Sequence, residues 1–345
     1  MYRFHRYNLI RWDISSPSVA YKLFVRGLYD YVIVKEGTSS GVTTRGYFVA
    51  AKGLETSWNN RASLTYSSDI KGRKLVNEGQ NWLAAAGRTF TGLLDTYGGA
   101  AAAYSLRLLS TDYAGNAVTV RRSSDNQTIN IGFVDGELNT GALNTFCSGA
   151  DGFVTIWYDQ SGNGNDVTQT TASNQPKIFD ATNGIIEVNG KPAINFEVTN
   201  STPYLNTNLV NYETAFTVAK TETIGVYNYL LYDSVNNLGI GYNVGTSNRG
   251  LFYYDSASVR SLPNPDTIRH LGFFDNTNLS VKIAKDGQSF NTFITIKSFA
   301  FNSISRNIAA LSTNGQVQEI ILYGSSQLAN RTGIETNIND FYSIY

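Results

Sequence analysis

Apolar residues along this chain come in short runs, most alternating with polar residues at every second position and separated by tight-turn residues. At 153–158, Val154 and Ile156 alternate with Thr155 and Trp157, the period of a strand with one face turned inward. Comparable runs predict strands at 9–14, 21–25, 31–34, 47–51, 103–109, 117–121, 215–219, 230–232, 250–254, 270–274, 280–285 and 316–323. Helical spacing is confined to two stretches. One leads from Gly136, Glu137 and Leu138 toward Leu143 and Phe146 and is short. The other, 326–342, offers Ser326 as N-cap and then Leu328, Ile334, Ile338, Phe341 and Tyr345 at mostly three-, four- and sixfold spacings. The pattern predicts an all-β chain, an antiparallel β-sandwich closed by a C-terminal helix. A shift near residue 90, from Arg mixed with aromatics to Asn, Thr and Gly, divides it into a small β module at 1–90 and a larger domain at 91–345.

Composition narrows the functional classes. With 42% hydrophobic and 16% charged residues in 345, the chain has the apolar content for a folded core, and disorder is excluded. Lys plus Arg and Asp plus Glu both number 27, so net charge gives no support for nucleic-acid binding. No apolar run is long enough for a membrane-spanning helix. The N-terminus, Met1-Tyr2-Arg3-Phe4-His5-Arg6-Tyr7, lacks the apolar core of a signal peptide, so export by that route is not expected. The single cysteine, Cys147, cannot form an internal disulfide and is expected in the core. His5 and His270 are too far apart in sequence to suggest a metal site.

The most distinctive stretch is Thr145-Phe146-Cys147, then residues 153–158 followed by Asp159-Gln160-Ser161-Gly162-Asn163-Gly164-Asn165, then Thr168-Gln169. Its Asp, Ser and Asn side chains and its glycines suit a tight, self-satisfied turn. Asp159, Asn163, Asn165 and Asp166 are also oxygen ligands for a Ca²⁺ ion, although not at the spacing of a dedicated calcium loop. The stretch resembles the core of the catalytic domain of the α-L-arabinofuranosidase B family, with support from residues 104–107, 128–131 and 189–193. The resemblance implies a concanavalin A-like jelly roll. It also implies a catalytic glutamate beside a vicinal disulfide and an aspartate as general acid, the two carboxyls that glycoside hydrolysis requires. The comparable region here, 227–258, contains neither glutamate nor cysteine. Glu213 and Glu222 flank the 215–219 strand, and neither Asp275 nor Asp286 matches the general acid, so no catalytic residue carries over.

The tail, residues 315–323 running into 329–335, resembles the closing strand and helix of lectin-like domains in bacteriophage structural proteins, and Arg11-Trp12-Asp13-Ile14 resembles the start of phage fibre proteins. That resemblance implies a virion component, such as a head fibre, spike or tail-associated protein. Residues 1–90 would attach it to other virion proteins through Arg3, Arg6, Arg11 and Arg26 among Tyr2, Phe4, Tyr7, Trp12 and Phe24. The larger domain would meet a host glycan, and the protein would assemble as a homo-oligomer without membrane insertion. The alternative is an arabinofuranosidase-like glycoside hydrolase. Sugar-binding chemistry, aromatic platforms with amide and carboxylate groups, is concentrated in Tyr232, Asp233, Asn236, Asn237, Tyr242, Asn243, Tyr253, Tyr254 and Asp255. Glu319, in the apolar run 317–323, is expected on a solvent-facing strand position.

Overall fold

The computed structural model describes residues 6–16, 19–26, 30–39, 42–50, 74–75 and 91–345, except 135, 198–201, 222–226, 244–248, 257, 264–267, 278–279, 296 and 306–314. The chain divides into two compact units, Met1–Phe90 and Thr91–Tyr345. In the first, four antiparallel strands, Arg6–Ser16, Val19–Arg26, Asp30–Ser39 and Val42–Ala50, follow one another in the sheet. Lys74–Leu75 pairs in parallel with the first of them. The Arg and aromatic side chains of residues 1–90 singled out above lie outside the described residues.

The larger unit is built from two series of antiparallel ladders. In one, Gly315–Tyr323 lies between Ala100–Ser105 and Thr214–Thr221. Thr214–Thr221 continues to Arg269–Thr277, Ser280–Lys285 and Asn291–Ile294. The other runs from Thr128–Ile131 through Val118–Arg122, Gly152–Trp157 and Val167–Thr168 to Leu205–Tyr212. It then passes through Phe299–Ile304 to Tyr227–Asp233, Leu238–Asn243, Arg249–Tyr254 and Val259–Pro263. Side chains from both series fill one core: Ala102, Tyr104, Ala215, Phe274 and Ile320 from the first, with Val120, Trp157, Phe301, Ile240 and Tyr253 from the second. Cys147 is in that core, and burial pushes its thiol up to about 11.

The first series is covered on its other face as well. Phe216, Val218, Leu271, Phe273, Ile321 and Tyr323 pack beneath Ile334, Ile338 and Tyr342 of the helix Arg331–Tyr342. Every residue of Gly315–Tyr323 is therefore buried, as a strand sandwiched between two layers must be. Glu319 is thus buried rather than solvent-facing, and its carboxylate is held by Arg107 Nε at 2.7 Å and Nη2 at 2.9 Å. The helix begins five residues later than the spacing suggests. Ser326 donates its hydroxyl to the buried Asp275 carboxylate at 2.7 Å and does not cap, leaving Asn330 at the N-cap position. The second helix, Thr140–Cys147, is capped by Asn139 accepting from the Ala142 amide.

Candidate functional site

The loop at 159–165 is a clamp on the strand Ala100–Ser105. Asp159 is buried; its Oδ1 accepts from the amides of Ala103 and Ser161, and its Oδ2 from the Ser161 hydroxyl and the Asn165 amide. Gln160 is also buried, donating from Nε2 to the carbonyls of Ser105 and Arg107 and accepting the Leu109 amide. Asn163 and Asn165 donate to the carbonyls of Ala100 and Ala101. The oxygens that a Ca²⁺ ion would use at Asp159 are occupied by these donors, and Asp166 Oδ1 accepts the Asp159 amide. Among the described residues, no group of three or more His, Cys, Asp or Glu side chains is placed to hold a metal.

Gly162 and Gly164 have φ of 85° and 72° with open space where a Cβ would go, so the cost of a side chain there is conformational. Replacing either by Val is expected to destabilise the unit by about 1–3 kcal/mol, read as a lower urea midpoint. Unchanged midpoints for both variants would refute this.

The residues singled out for sugar binding separate into core and turn. Tyr232, Tyr242 and Tyr253 are buried. Their hydroxyls meet Asn237 Oδ1, Thr217 Oγ1 and Thr295 Oγ1 respectively, so the rings pack inside rather than forming open platforms. Asp233, also buried, accepts from the amides of Val235 and Asn236 and from Asn236 Nδ2, closing the turn after Tyr227–Asp233. Asp255 does the same for Ser258. Lys297 joins the two turns, donating to the Asn236 carbonyl at 3.2 Å and the Ser256 hydroxyl at 2.9 Å. Asn236 is exposed and Tyr254 half-buried, while the Asn243 side chain lies outside the described residues. Val235, at the tip, is 71% exposed.

The other carboxylates considered from sequence are dispersed. Glu213 is exposed at a strand end, and Glu222 lies outside the described residues. Asp275 is buried beneath the hydroxyls of Thr214, Thr277 and Ser326. Asp286 accepts the Leu271 amide at 3.0 Å and lies 2.6 Å from His270 Nδ1.

A concave site that the sequence did not suggest lies elsewhere. A cleft of about 520 Å³ is lined by Phe153, Ile185 and Ile186 on its apolar side and by Lys177, Asp180, Glu187, Asn195 and Glu197 among its polar groups. The pairing of Lys177 with Asn195 brings its walls together. Lys177 bridges Asp151 at 2.9 Å and Asp180 at 3.3 Å. The amides of Asn183 and Thr182, with Lys177, hold the Asp180 carboxyl below the usual carboxylate range.

The fold of most of the chain is shared with solved arabinofuranosidases. An arabinofuranosidase in complex with arabinofuranosyl-α-1,2-xylobiose superposes with a TM-score of 0.54 over 71% of this chain and 63% of that one, at 15% identity. A GH54 α-L-arabinofuranosidase soaked with a cyclic sulfate inhibitor matches equally well at 16% identity. In sequence, residues 95–245 match the family model of the α-L-arabinofuranosidase B catalytic domain. The chain is 36% identical over 116 residues to an α-L-arabinofuranosidase B of Emericella nidulans and 33% identical over 116 residues to a probable α-L-arabinofuranosidase B of Aspergillus terreus. Each alignment covers 31% of this chain, which spans 23% of the length of either relative.

These similarities correct the expectation of a bacteriophage virion component. The family model, the fungal relatives and the fold neighbours point to arabinofuranosidases, and nothing points to a head fibre, spike or tail protein. Attachment to virion partners through residues 1–90, display of a lectin-like domain to a host surface and a place in the virion fall with it. The tail residues that suggested it have a plain physical origin: a strand covered on both faces carries apolar residues on both, as Ile320, Ile321 and Leu322 do, with its polar side chains buried among partners, and the following helix must present an apolar stripe to it.

Proposed function

We propose that the Thr91–Tyr345 unit is an arabinofuranosidase-type glycoside hydrolase domain, with its two ladder series forming the faces of a concanavalin A-like jelly roll. The observation that carries this reading is the family match over residues 95–245, which extends well past the 159–165 clamp into the strands Tyr227–Asp233 and Leu238–Asn243. The clamp alone would not suffice, because its side chains serve the fold.

Hydrolysis of a glycosidic bond needs one carboxyl to protonate the leaving oxygen and a second to act as nucleophile or base. At 227–258 the acids are Asp233 and Asp255, and both are committed to closing turns. Carboxylates placed together on an open concave surface are instead found in the cleft, at Asp180, Glu187 and Glu197. The exposed Asn236 turn is a second element of this reading: its backbone amide and Nδ2 donate to Asp233 and its carbonyl accepts from Lys297, which leaves the side-chain oxygen for a hydroxyl of a longer glycan.

The full chain is expected to release 4-nitrophenol from 4-nitrophenyl α-L-arabinofuranoside with saturable kinetics. A folded preparation that releases none above the buffer rate would overturn the proposal.

A further inference from the structure

We propose that the cleft beside Phe153 seats a sugar residue, and that Glu187 and Glu197 are the carboxylates that accept hydrogen bonds from its hydroxyls. The choice of an arabinofuranosyl ligand rests on the function proposed above.

A sugar presents an apolar C–H surface and a rim of hydroxyls, so its site needs an apolar wall and a few acceptors and donors that the protein has not already used. Phe153, Ile185 and Ile186 supply the wall, and a volume of about 520 Å³ falls in the range of small-molecule sites.

The polar lining separates into spent and available groups. Gln175 is spent, accepting from Arg121 Nε at 2.7 Å and donating to the Gln169 carbonyl at 2.9 Å. Asp180 is spent too: Oδ1 accepts from the Thr182 amide, the Asn183 amide and Asn183 Nδ2, and Oδ2 faces Lys177. Asn195 Oδ1 accepts from Gln316 Nε2 and from the Glu197 amide. Asn195 Nδ2 donates to Glu197 Oε2 at 3.3 Å, which orients that carboxylate and leaves its other oxygen available. Glu187 begins the short strand Glu187–Val188 on the lining and is exposed. Charge argues against a divalent cation as the ligand, because the Lys177 ammonium occupies the same lining. Neutral hydroxyls, which bind carboxylates without needing a site cleared of cations, suit the mixture.

The test uses the full chain and arabinofuranosyl-α-1,2-xylobiose, with binding measured by calorimetry. Two variants probe the cleft independently. Glu187→Ala combined with Glu197→Ala removes the two available acceptors at exposed positions. Asn183→Trp places a bulky ring on the exposed rim. Each is expected to weaken binding at least about tenfold, the loss of one or two hydrogen bonds to charged groups or of access, with an unchanged thermal midpoint for the double glutamate variant. Wild-type affinity in both, or no binding by the wild-type chain, would overturn the inference. Hydrolysis of 4-nitrophenyl α-L-arabinofuranoside, followed in parallel, separates the two claims. A hydrolytic wild type with unaffected cleft variants sinks the cleft alone; a chain that binds through the cleft but does not hydrolyse sinks the hydrolase alone.

Discussion

Replacing Glu319 with alanine is expected to destabilise the Thr91–Tyr345 unit by about 3–5 kcal/mol, the effect of leaving one member of a buried ion pair uncompensated. The carboxylate is fully buried and accepts from Arg107 Nε and Nη2, from the Ser105 hydroxyl at 2.7 Å and from the Tyr342 hydroxyl at 3.3 Å. Arg107 is itself buried, with its guanidinium carbon 4.9 Å from the Phe341 ring centroid and 5.7 Å from that of Tyr342. Without the acid, a positive charge would remain between the sheet and the helix with only the side-chain oxygen of Asn337 as an acceptor, at 2.9 Å from Nη1. The measurement is the urea midpoint at constant slope. Arg107→Met combined with Glu319→Leu should recover most of the loss, because an apolar pair of similar volume carries no desolvation penalty. A single variant as stable as the parent would refute the account.

Asp159→Ala should destabilise the same unit by about 3 kcal/mol or more. Four donors lose their acceptor at once, and one of them, the Ala103 amide, is in a fully buried part of the Ala100–Ser105 strand, where an unmet donor costs about 1–3 kcal/mol. Amide exchange provides a local check: protection at Ala103 should fall by more than global unfolding alone accounts for. Asp159→Asn, which keeps one side-chain oxygen, should lose less. Equal losses for the two variants would mean that the clamp acts through packing rather than through its accepted hydrogen bonds.

The turn at 159–165 was readable from sequence because part of its bonding is local, with Asp159 accepting the Ser161 and Asn165 amides, Ser161 accepting the Asn163 amide, and glycines where φ turns positive; its grip on Ala100–Ser105, through partners more than fifty residues away, was not. Strand periodicity, equally local, was readable too. What sequence could not show is which sheet receives a second cover. Glu319 alternates as a surface residue would, and only the packing of Arg331–Tyr342 over that face buries it. The hydroxyls of Tyr232, Tyr242 and Tyr253 make these residues read as polar in a strand, yet each meets a side-chain partner and the ring is buried. Ser326 has the composition of a cap, but Asp275, fifty-one residues earlier, claims its hydroxyl. The cleft left no local signature, since Lys177 and Asn195 meet through a single strand pairing and the other lining residues come from several separate segments.

The placement of Gly315–Tyr323 between Ala100–Ser105 and Thr214–Thr221 has a consequence for how the unit is made. The Ser105–Glu319 hydrogen bond spans 214 positions, and the Tyr323 hydroxyl reaches the Tyr97 carbonyl across 226. During synthesis the ribosome must deliver nearly the whole unit before its middle strand exists, so the earlier strands wait with open edges and uncovered apolar faces. Loop-closure entropy makes assembly around such distant partners slow, and the waiting intermediate is the species most exposed to aggregation. Yield on expression should therefore respond to temperature and chaperone supply more strongly than the equilibrium stability of the finished protein would suggest.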